Sequence, residues 1–418
     1  MKEESFDVVV IGGGPAGSST ATVLADHGQK VLLLDRERFP RFRIGESLLP
    51  AGWELWERLG VVDDLAQAGF VVKQGINFGM FGSQDDVVLL TAEYPDYFKR
   101  PWTYHVERAR FDEILLKNAK RKGVEVREEW SVGDVLFEGR QAIGVMAGPN
   151  RGATHPIFAR VVVDGSGRDA LIARKLGWRR PDPILNKIAH FTHFEGAFRR
   201  DPHDVVKFGE VIDGSAMTDI HTIDNGWIWY IPLANNIVSV GVVLDAKLAG
   251  HIKGGPQARF DFSVQSSSKI SEWIRGARQI MDMHTISNIS YLNDNFVGDG
   301  FLLVGDAAMF IDPVFSAGVT IAIRGGIYAA EAIISGFSDN DFSAKKLKVY
   351  EDKIRYPSER IFKMIYNWYE ILASKDPNNI ISRARRIPLL RERFIVLLSG
   401  GYDKMDIERI LTAAGETD

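Results

Sequence analysis

The chain has 418 residues, enough to bury a large core as two domains or as one α/β unit with an inserted sheet. Its 45% hydrophobic and 25% charged residues are ordinary for a globular enzyme, and a net charge of −4 disfavours a polyanionic partner, so no nucleic acid is expected. The lack of cysteine excludes disulfides, thiolate metal sites and a cysteine nucleophile, and fits a cytoplasmic location.

Lys2, Glu3 and Glu4 do not begin a signal peptide, and apolar runs such as Phe301–Val304 are too short to span a bilayer. No membrane span is expected. Residues 6–11, FDVVVI, read as a strand buried on both faces. GGGPAG follows, then a helical stretch that stops at Gly28, then a second buried strand, KVLLLD, at 30–35. Gly12, Gly14 and Gly17 form GxGxxG at the strand-to-helix turn. The first allows the tight turn, the second lets a pyrophosphate approach, and the third lets helix pack on strand. The helix start offers free N–H groups to phosphate. Asp35, 23 residues after Gly12, ends the second strand where a carboxylate accepts ribose hydroxyls. This unit by itself suits NAD or FAD.

Farther along, Arg43 and Ser47 lie in RFRIGES, and Lys73 lies in AGFVVKQGINF between Phe70 and Phe78. A helix is expected over 108–122, and a small meander over 134–163 ends in VVVDGSG with Asp164 at a strand end. From 186 to 245 the pattern becomes alternating and aromatic-rich, the mark of a separate antiparallel sheet that could wall a substrate pocket. FLLVGDAA at 301–308 returns to the buried-strand style. Beyond Val319 the chain reads as helical to its end, with Gly400-Gly401 the clearest break. His190 and His193 are three apart in a strand with no nearby acid pair, so no metal site is expected.

LLVGDAAMFIDPVFSAG resembles the second FAD fingerprint of the p-hydroxybenzoate hydroxylase-like flavoproteins, in which the Asp of the GD pair, here Asp306, holds the ribityl chain. Arg108 in VERARFD matches the family arginine near the FAD phosphates, and VVVDGSG resembles its middle motif. The matches run from residue 6 to about 320, roughly three quarters of the chain. The resemblance implies an FAD site built from Gly12, Gly14, Pro15, Ala16, Gly17, Asp35, Arg36, Arg43, Ser47, Arg108, Asp306, Pro313, Gly318 and Val319. No second glycine-rich unit for NAD(P)H follows, which favours FADH2 delivered by a separate flavin reductase.

Three further motifs resemble the flavin-dependent halogenases. Trp227, Trp229, Ile231 and Pro232 spell WxWxIP; as plain residues, tryptophans two apart share a face and would pack a core. Lys73 matches the family's essential lysine. In that family reduced FAD and O2 give a flavin hydroperoxide, chloride or bromide attacks it, and the lysine relays the resulting hypohalous acid to the substrate. An amine between two phenylalanines is partly desolvated, which lowers its pKa, whereas an ordinary lysine is solvated. Phe310-x-x-Pro313-x-x-Ser316-x-Gly318 resembles a pattern that separates halogenases from monooxygenases. Its turn implies a halide site at Ser316, Ala317 and Gly318, on N–H groups at a helix start.

Tryptophan halogenases carry a glutamate just before this serine, where the present chain has Phe315. With Phe310 it is expected to line the substrate pocket. That departure and the short length imply an electron-rich pyrrole or phenol, tethered to an acyl or peptidyl carrier protein. Arg383, Arg385, Arg386, Arg391 and Arg393 could then form a docking face for an acidic carrier, although such a run is more often a solvated helix face. The expected architecture is α/β: a Rossmann-type FAD domain (1–185 and 296–335), an inserted antiparallel substrate sheet (186–295) and a C-terminal helical cap (336–418). The rivals are a single-component NADPH-dependent hydroxylase, a reductase resembling geranylgeranyl reductase, and a flavoprotein without turnover.

Overall fold

The structure, a computed structural model, describes residues 4–80, 86–200, 205–207, 210–212, 217–224, 226–287, 289–376, 379–384 and 387–402. The apolar run at the N-terminus forms the strand Glu4–Ile11, which is central in a sheet because both of its faces are hydrophobic. It pairs in parallel with Val31–Asp35 on one side and His155–Asp164 on the other. Glu125–Glu128 and Phe301–Leu303 extend the parallel set outward. In register, Ile11 faces Leu34 and Asp164, and Asp164 faces Leu303. The carboxyl ends of these strands therefore share one edge, where open α/β sheets bind ligands. The expected meander is present as Trp130–Glu138 and Gln141–Pro149, joined to the large sheet through His155–Asp164.

The second sheet is mainly antiparallel, in the order Arg278–Gln279, Lys187–Glu195, Ile237–Asp245, Gly226–Pro232, Met217–Ile223, Gly75–Gly79 and Val87–Leu90. Its last two strands come from before residue 186, and Gly75–Gly79 runs parallel to Met217–Ile223. The N-terminal stretch thus contributes directly to the substrate sheet, so this sheet is not confined to 186–295. Alternation along Gly226–Pro232 separates two cores. Trp227, Trp229 and Ile231 enter the main core, while Ile228 and Tyr230 face a smaller one with Phe260 and Ile270.

Helix Gly318–Asp339 packs against Pro15–Asp26. A Cβ on Gly326 would lie 2.4 Å from the Ala16 carbonyl oxygen, so only glycine permits this approach. Among the described residues, this is the one helix long and apolar enough to cross a membrane, and its apolar side is buried in the core. The C-terminal region is helical as expected but more broken. Ala344–Ser374, Ile380–Arg383 and Pro388–Leu398 are separate helices, the first of them ending at Lys375 in a left-handed conformation. Residues beyond 402 lie outside the described part.

Candidate active site

At the nucleotide end, Gly12 has a φ of +96°, and its missing Cβ would collide with the Gly165 carbonyl oxygen at 2.3 Å. Gly17 is tighter still: a Cβ there would sit 1.9 Å from the Gly12 oxygen. These two glycines serve close backbone packing. Gly14 differs, since the space its Cβ would enter is open except for Arg41 Nη2 at 3.6 Å. Pro15 begins the helix, and no side chain caps its N-terminus. Asp35 accepts hydrogen bonds from the Gly13 N–H at 2.7 Å and the Glu37 N–H at 2.8 Å, which orients the carboxylate beside the glycine turn.

Asp112 is fully buried between two arginines. It takes Nε of Arg108 at 2.8 Å and Nη1 of Arg41 at 2.6 Å. Burial would raise its pKa, but Arg108 and Arg41 hold it below the ordinary carboxylate range. Arg41 Nε also stands 3.5 Å from Glu37 Oε2, so the two arginines near the open space at Gly14 are faced by the carboxylates of Asp112 and Glu37. Asp306 lies on the Arg108 side. Burial pushes its pKa up to about 6 against the pull of Arg108 and Arg168, and no donor among the described residues pairs with its carboxylate. An open glycine cradle with Arg41 at its rim and a buried Asp306 carboxylate with no donor among the described residues fit a dinucleotide.

Lys73 ends the short strand Val71–Lys73, which pairs with Thr103–His105. It is only 5% exposed. Its Nζ donates to Ser47 Oγ at 2.8 Å and to the Leu48 carbonyl at 2.9 Å. Burial brings its pKa down to about 7. Ser47 continues to Thr218 Oγ1 at 2.9 Å, and Thr218 to His105 Nε2 at 2.8 Å. Burial and the nearby Lys73 keep His105 neutral, with a pKa well below its ordinary value. Lys73 lines a small cleft with the apolar Pro50, Ile76, Leu89, Ile395 and Leu398 and the polar Gln74, Thr91, Thr103 and Ser399. The arrangement is a buried amine on a wall of aliphatic, amide and hydroxyl side chains, able to donate a hydrogen bond as ammonium or to act as a nucleophile once neutral.

The WxWxIP strand shares a sheet with Gly75–Gly79, with Met217–Ile223 between them. Trp227 and Trp229 are buried on one face, 6.0 Å apart. Trp229 Nε1 donates to Ser239 Oγ at 3.1 Å, and Trp227 Nε1 donates to Tyr369 Oη at 3.0 Å. The Phe310–Gly318 segment makes a 3-10 turn at Pro313–Phe315, takes a left-handed residue at Ser316 (φ 55°) and opens helix Gly318–Asp339. The Ser316 N–H is spent on the Pro313 carbonyl at 2.9 Å. No side chain caps the helix start at Ala317, and the space beside Gly318 is open.

A family model described as tryptophan halogenase matches residues 7–94 and 92–380. The chain belongs to the tryptophan halogenase family. Among its relatives is the 1H-pyrrole-2-carbonyl-[peptidyl-carrier protein] chlorinase of Pseudomonas fluorescens, 31% identical over 100% of this chain and 95% of that protein. The corresponding brominase of Pseudoalteromonas luteoviolacea is 31% identical over 81% of this chain and 80% of its own. Of solved structures, the flavin-dependent brominase Bmp2 superposes with a TM-score of 0.84 at 28% identity, covering 99% of this chain and 98% of its own. The myxobacterial chondrochloren halogenase CndH, an FAD-dependent halogenase, gives 0.81 at 33% identity, covering 95% and 90%. This halogenase is thus a flavin-dependent enzyme with the α/β fold expected of it.

The other residues singled out in the sequence have varied surroundings in this halogenase. Arg43 pairs with Glu37 and is partly exposed, whereas Arg41, the first residue of the same RFRIGES run, is the arginine beside Gly14. Arg36 pairs with Asp169 at 2.6 Å on the surface. The Ser47 hydroxyl is engaged by Lys73 and Thr218. Asp164 accepts from the Ser166 and Ile172 N–H groups, a local role at its strand end. Phe315 packs edge-on against Trp368, Phe310 packs on Tyr291, and neither lines the cleft beside Lys73. The expected arginine docking face is not free. Arg391 forms a two-pronged pair with Glu93 at 2.5 and 2.6 Å, which fastens its helix to the body. Arg383 and Arg393 have partners as well, and Arg385 and Arg386 lie outside the described residues. Asp112, His105, Thr218, Asp312 and Tyr369 were missed. Only Asp112 had a readable signal, standing four residues after Arg108 on one helix.

Proposed function

We propose that this halogenase places chlorine or bromine on an electron-rich pyrrole tethered to a peptidyl carrier protein, with Lys73 directing the halogen. The buried, carboxylate-free Lys73 amine, held by Ser47 and the Leu48 carbonyl, is the observation that carries this reading. The two pyrrole-carbonyl relatives support the choice of ring and carrier. A phenol is the second choice, compatible with Phe315 in place of a glutamate.

Residues 1–185 and 296–335 would hold FAD, 186–295 would supply the substrate wall with help from Gly75–Leu90, and 336–418 would cap it. Gly12, Gly14, Pro15, Ala16 and Gly17 cradle the pyrophosphate, with Arg41 and Arg108 supplying charge and Asp35 and Asp306 meeting sugar and ribityl hydroxyls. Pro313, Gly318 and Val319 border the flavin. Bound as FADH2, the cofactor supplies, with O2 and halide, the oxidising equivalent that makes hypohalous acid. The N–H groups of Ala317 and Gly318 hold the halide without a positive side chain. Lys73 then binds hypohalous acid by hydrogen bond, or captures its halogen as the neutral amine. The ring carbon exchanges hydrogen for halogen, and the displaced proton leaves with hydroxide as water. Apolar walls from Pro50, Leu89, Ile395 and Leu398 exclude the water that would release the oxidant. A partner reductase supplies FADH2 in the cytoplasm.

The test supplies a pyrrolyl-loaded carrier protein, a flavin reductase, NADPH, and bromide or chloride, and follows the carrier by intact-mass spectrometry. Halogenated carrier is expected from the parent and none from Lys73→Ala. Hydroxylated product, or turnover that ignores halide, overturns the reading.

A further inference from the structure

Three segments far apart in sequence meet at one buried carboxylate. Asp312 precedes the Pro313 turn and is 1% exposed. Its Oδ1 accepts the Val314 N–H at 3.1 Å, inside the turn. Its Oδ2 accepts the hydroxyl of Tyr369, from the long helix Ala344–Ser374, at 2.7 Å. Tyr369 Oη in turn accepts the Trp227 indole N–H at 3.0 Å. The direction of every bond is forced: indole can only donate, a phenol here accepts one bond and donates one, and a carboxylate only accepts. Lys187 Nζ, paired with Asp245 at 3.1 Å, stands 4.4 Å from the Tyr369 ring centre and closes the other side.

The turn that Asp312 grips contains Ser316 at φ 55°, a conformation that non-glycine residues avoid and that surrounding contacts must impose. Ala317 and Gly318 follow at once, so their N–H directions depend on that residue staying where it is. From this geometry we infer that Trp227, Tyr369 and Asp312 are positioning residues for the halide. They act through the 313–318 turn and touch neither flavin nor substrate. The inference rests on the proposed halide site at that turn. It also gives WxWxIP a physical role, since its first tryptophan anchors the far end of the chain of bonds.

The experiment titrates bromide into the oxidised, FAD-loaded protein and follows the flavin absorbance, with FAD affinity measured separately. Loss of one hydrogen bond in the network should raise the bromide Kd of Tyr369→Phe and of Trp227→Phe roughly tenfold. FAD affinity should stay at the parent value. Asp312→Asn keeps an acceptor for Tyr369 and should restore most of the affinity that Asp312→Ala loses. A purely structural role would lower the melting temperature of these variants without moving the bromide Kd. Gly318→Val separates the two ideas, since its side chain enters the open space at the helix start. If Gly318→Val weakens bromide while Tyr369→Phe and Trp227→Phe do not, the positioning network is wrong and the halide site stands. If Gly318→Val leaves bromide binding intact, the halide site is wrong and the inference falls with it.

Discussion

An amine held at Lys73, with two oxygen acceptors and no carboxylate partner, costs stability whenever it is charged. Its pKa falls from the ordinary lysine range to about 7, so the sign of the linkage follows. Below pH 7 the ammonium is buried and the penalty is full; as pH rises from about 7 toward 10 the folded amine is neutral and the penalty fades. Lys73→Met should therefore be at least as stable as the parent at pH 6, with the advantage shrinking toward pH 10. Melting curves across that range check it, and an advantage that grows with pH would contradict a depressed pKa. Chemistry should show the opposite preference. Lys73→Ala should keep FAD and lose product by a factor of about 100 or more, while Lys73→Arg should also fail, because guanidinium stays charged and presents a wide planar head. Product analysis at equal FAD loading distinguishes these outcomes.

Among elements, the glycine turn and the C-terminal helix make contrasting demands. Gly14 borders open space and Gly17 abuts backbone, so the two alanine variants should part company. Gly14→Ala should fold normally and bind FAD more weakly. Gly17→Ala should lose more than about 2 kcal/mol of stability, because the Gly12 carbonyl cannot move aside. Equal behaviour of the two in denaturation and FAD titration would undo the distinction. Arg391→Ala should cost about 2 kcal/mol by removing the two-pronged charged partner of the Glu93 carboxylate, and should raise amide exchange first in Pro388–Leu398.

The same elements mark what was legible. The strand, helix and strand of 6–35 and the strands of 186–245 follow from local periodicity, and all are observed. The two strands from 75–90 join the second sheet by long-range pairing, which no local pattern announces. Lys73 and its desolvation could be read from its motif, but its hydrogen-bond partners could not. Ser47, Thr218 and His105 reach it from three separate segments, and the cleft wall comes from Ile395 and Leu398 more than three hundred residues away. Arginines at 383–393 looked like a free charged face because a sequence does not show that Glu93 folds against Arg391.

For the whole molecule, the fold brings the glycine turn, Arg108 and the start of helix Gly318–Asp339 together, with Lys73 on a separate short strand joined to Ser47. No second dinucleotide unit accompanies them among the described elements. The protein alone should therefore oxidise NADPH slowly, and its turnover should saturate with added flavin reductase; rapid substrate-coupled NADPH oxidation by the protein alone would point to a hydroxylase. The central claim is that Lys73 carries halogen from the flavin side to a carrier-bound ring. Single-turnover reaction of the FADH2-loaded protein with O2, bromide and pyrrolyl-carrier tests it most directly, read in parallel as flavin reoxidation and carrier mass for parent and Lys73→Ala. The account predicts the same flavin reoxidation in both, with brominated carrier only from the parent. Brominated carrier from Lys73→Ala at the parent rate would contradict it.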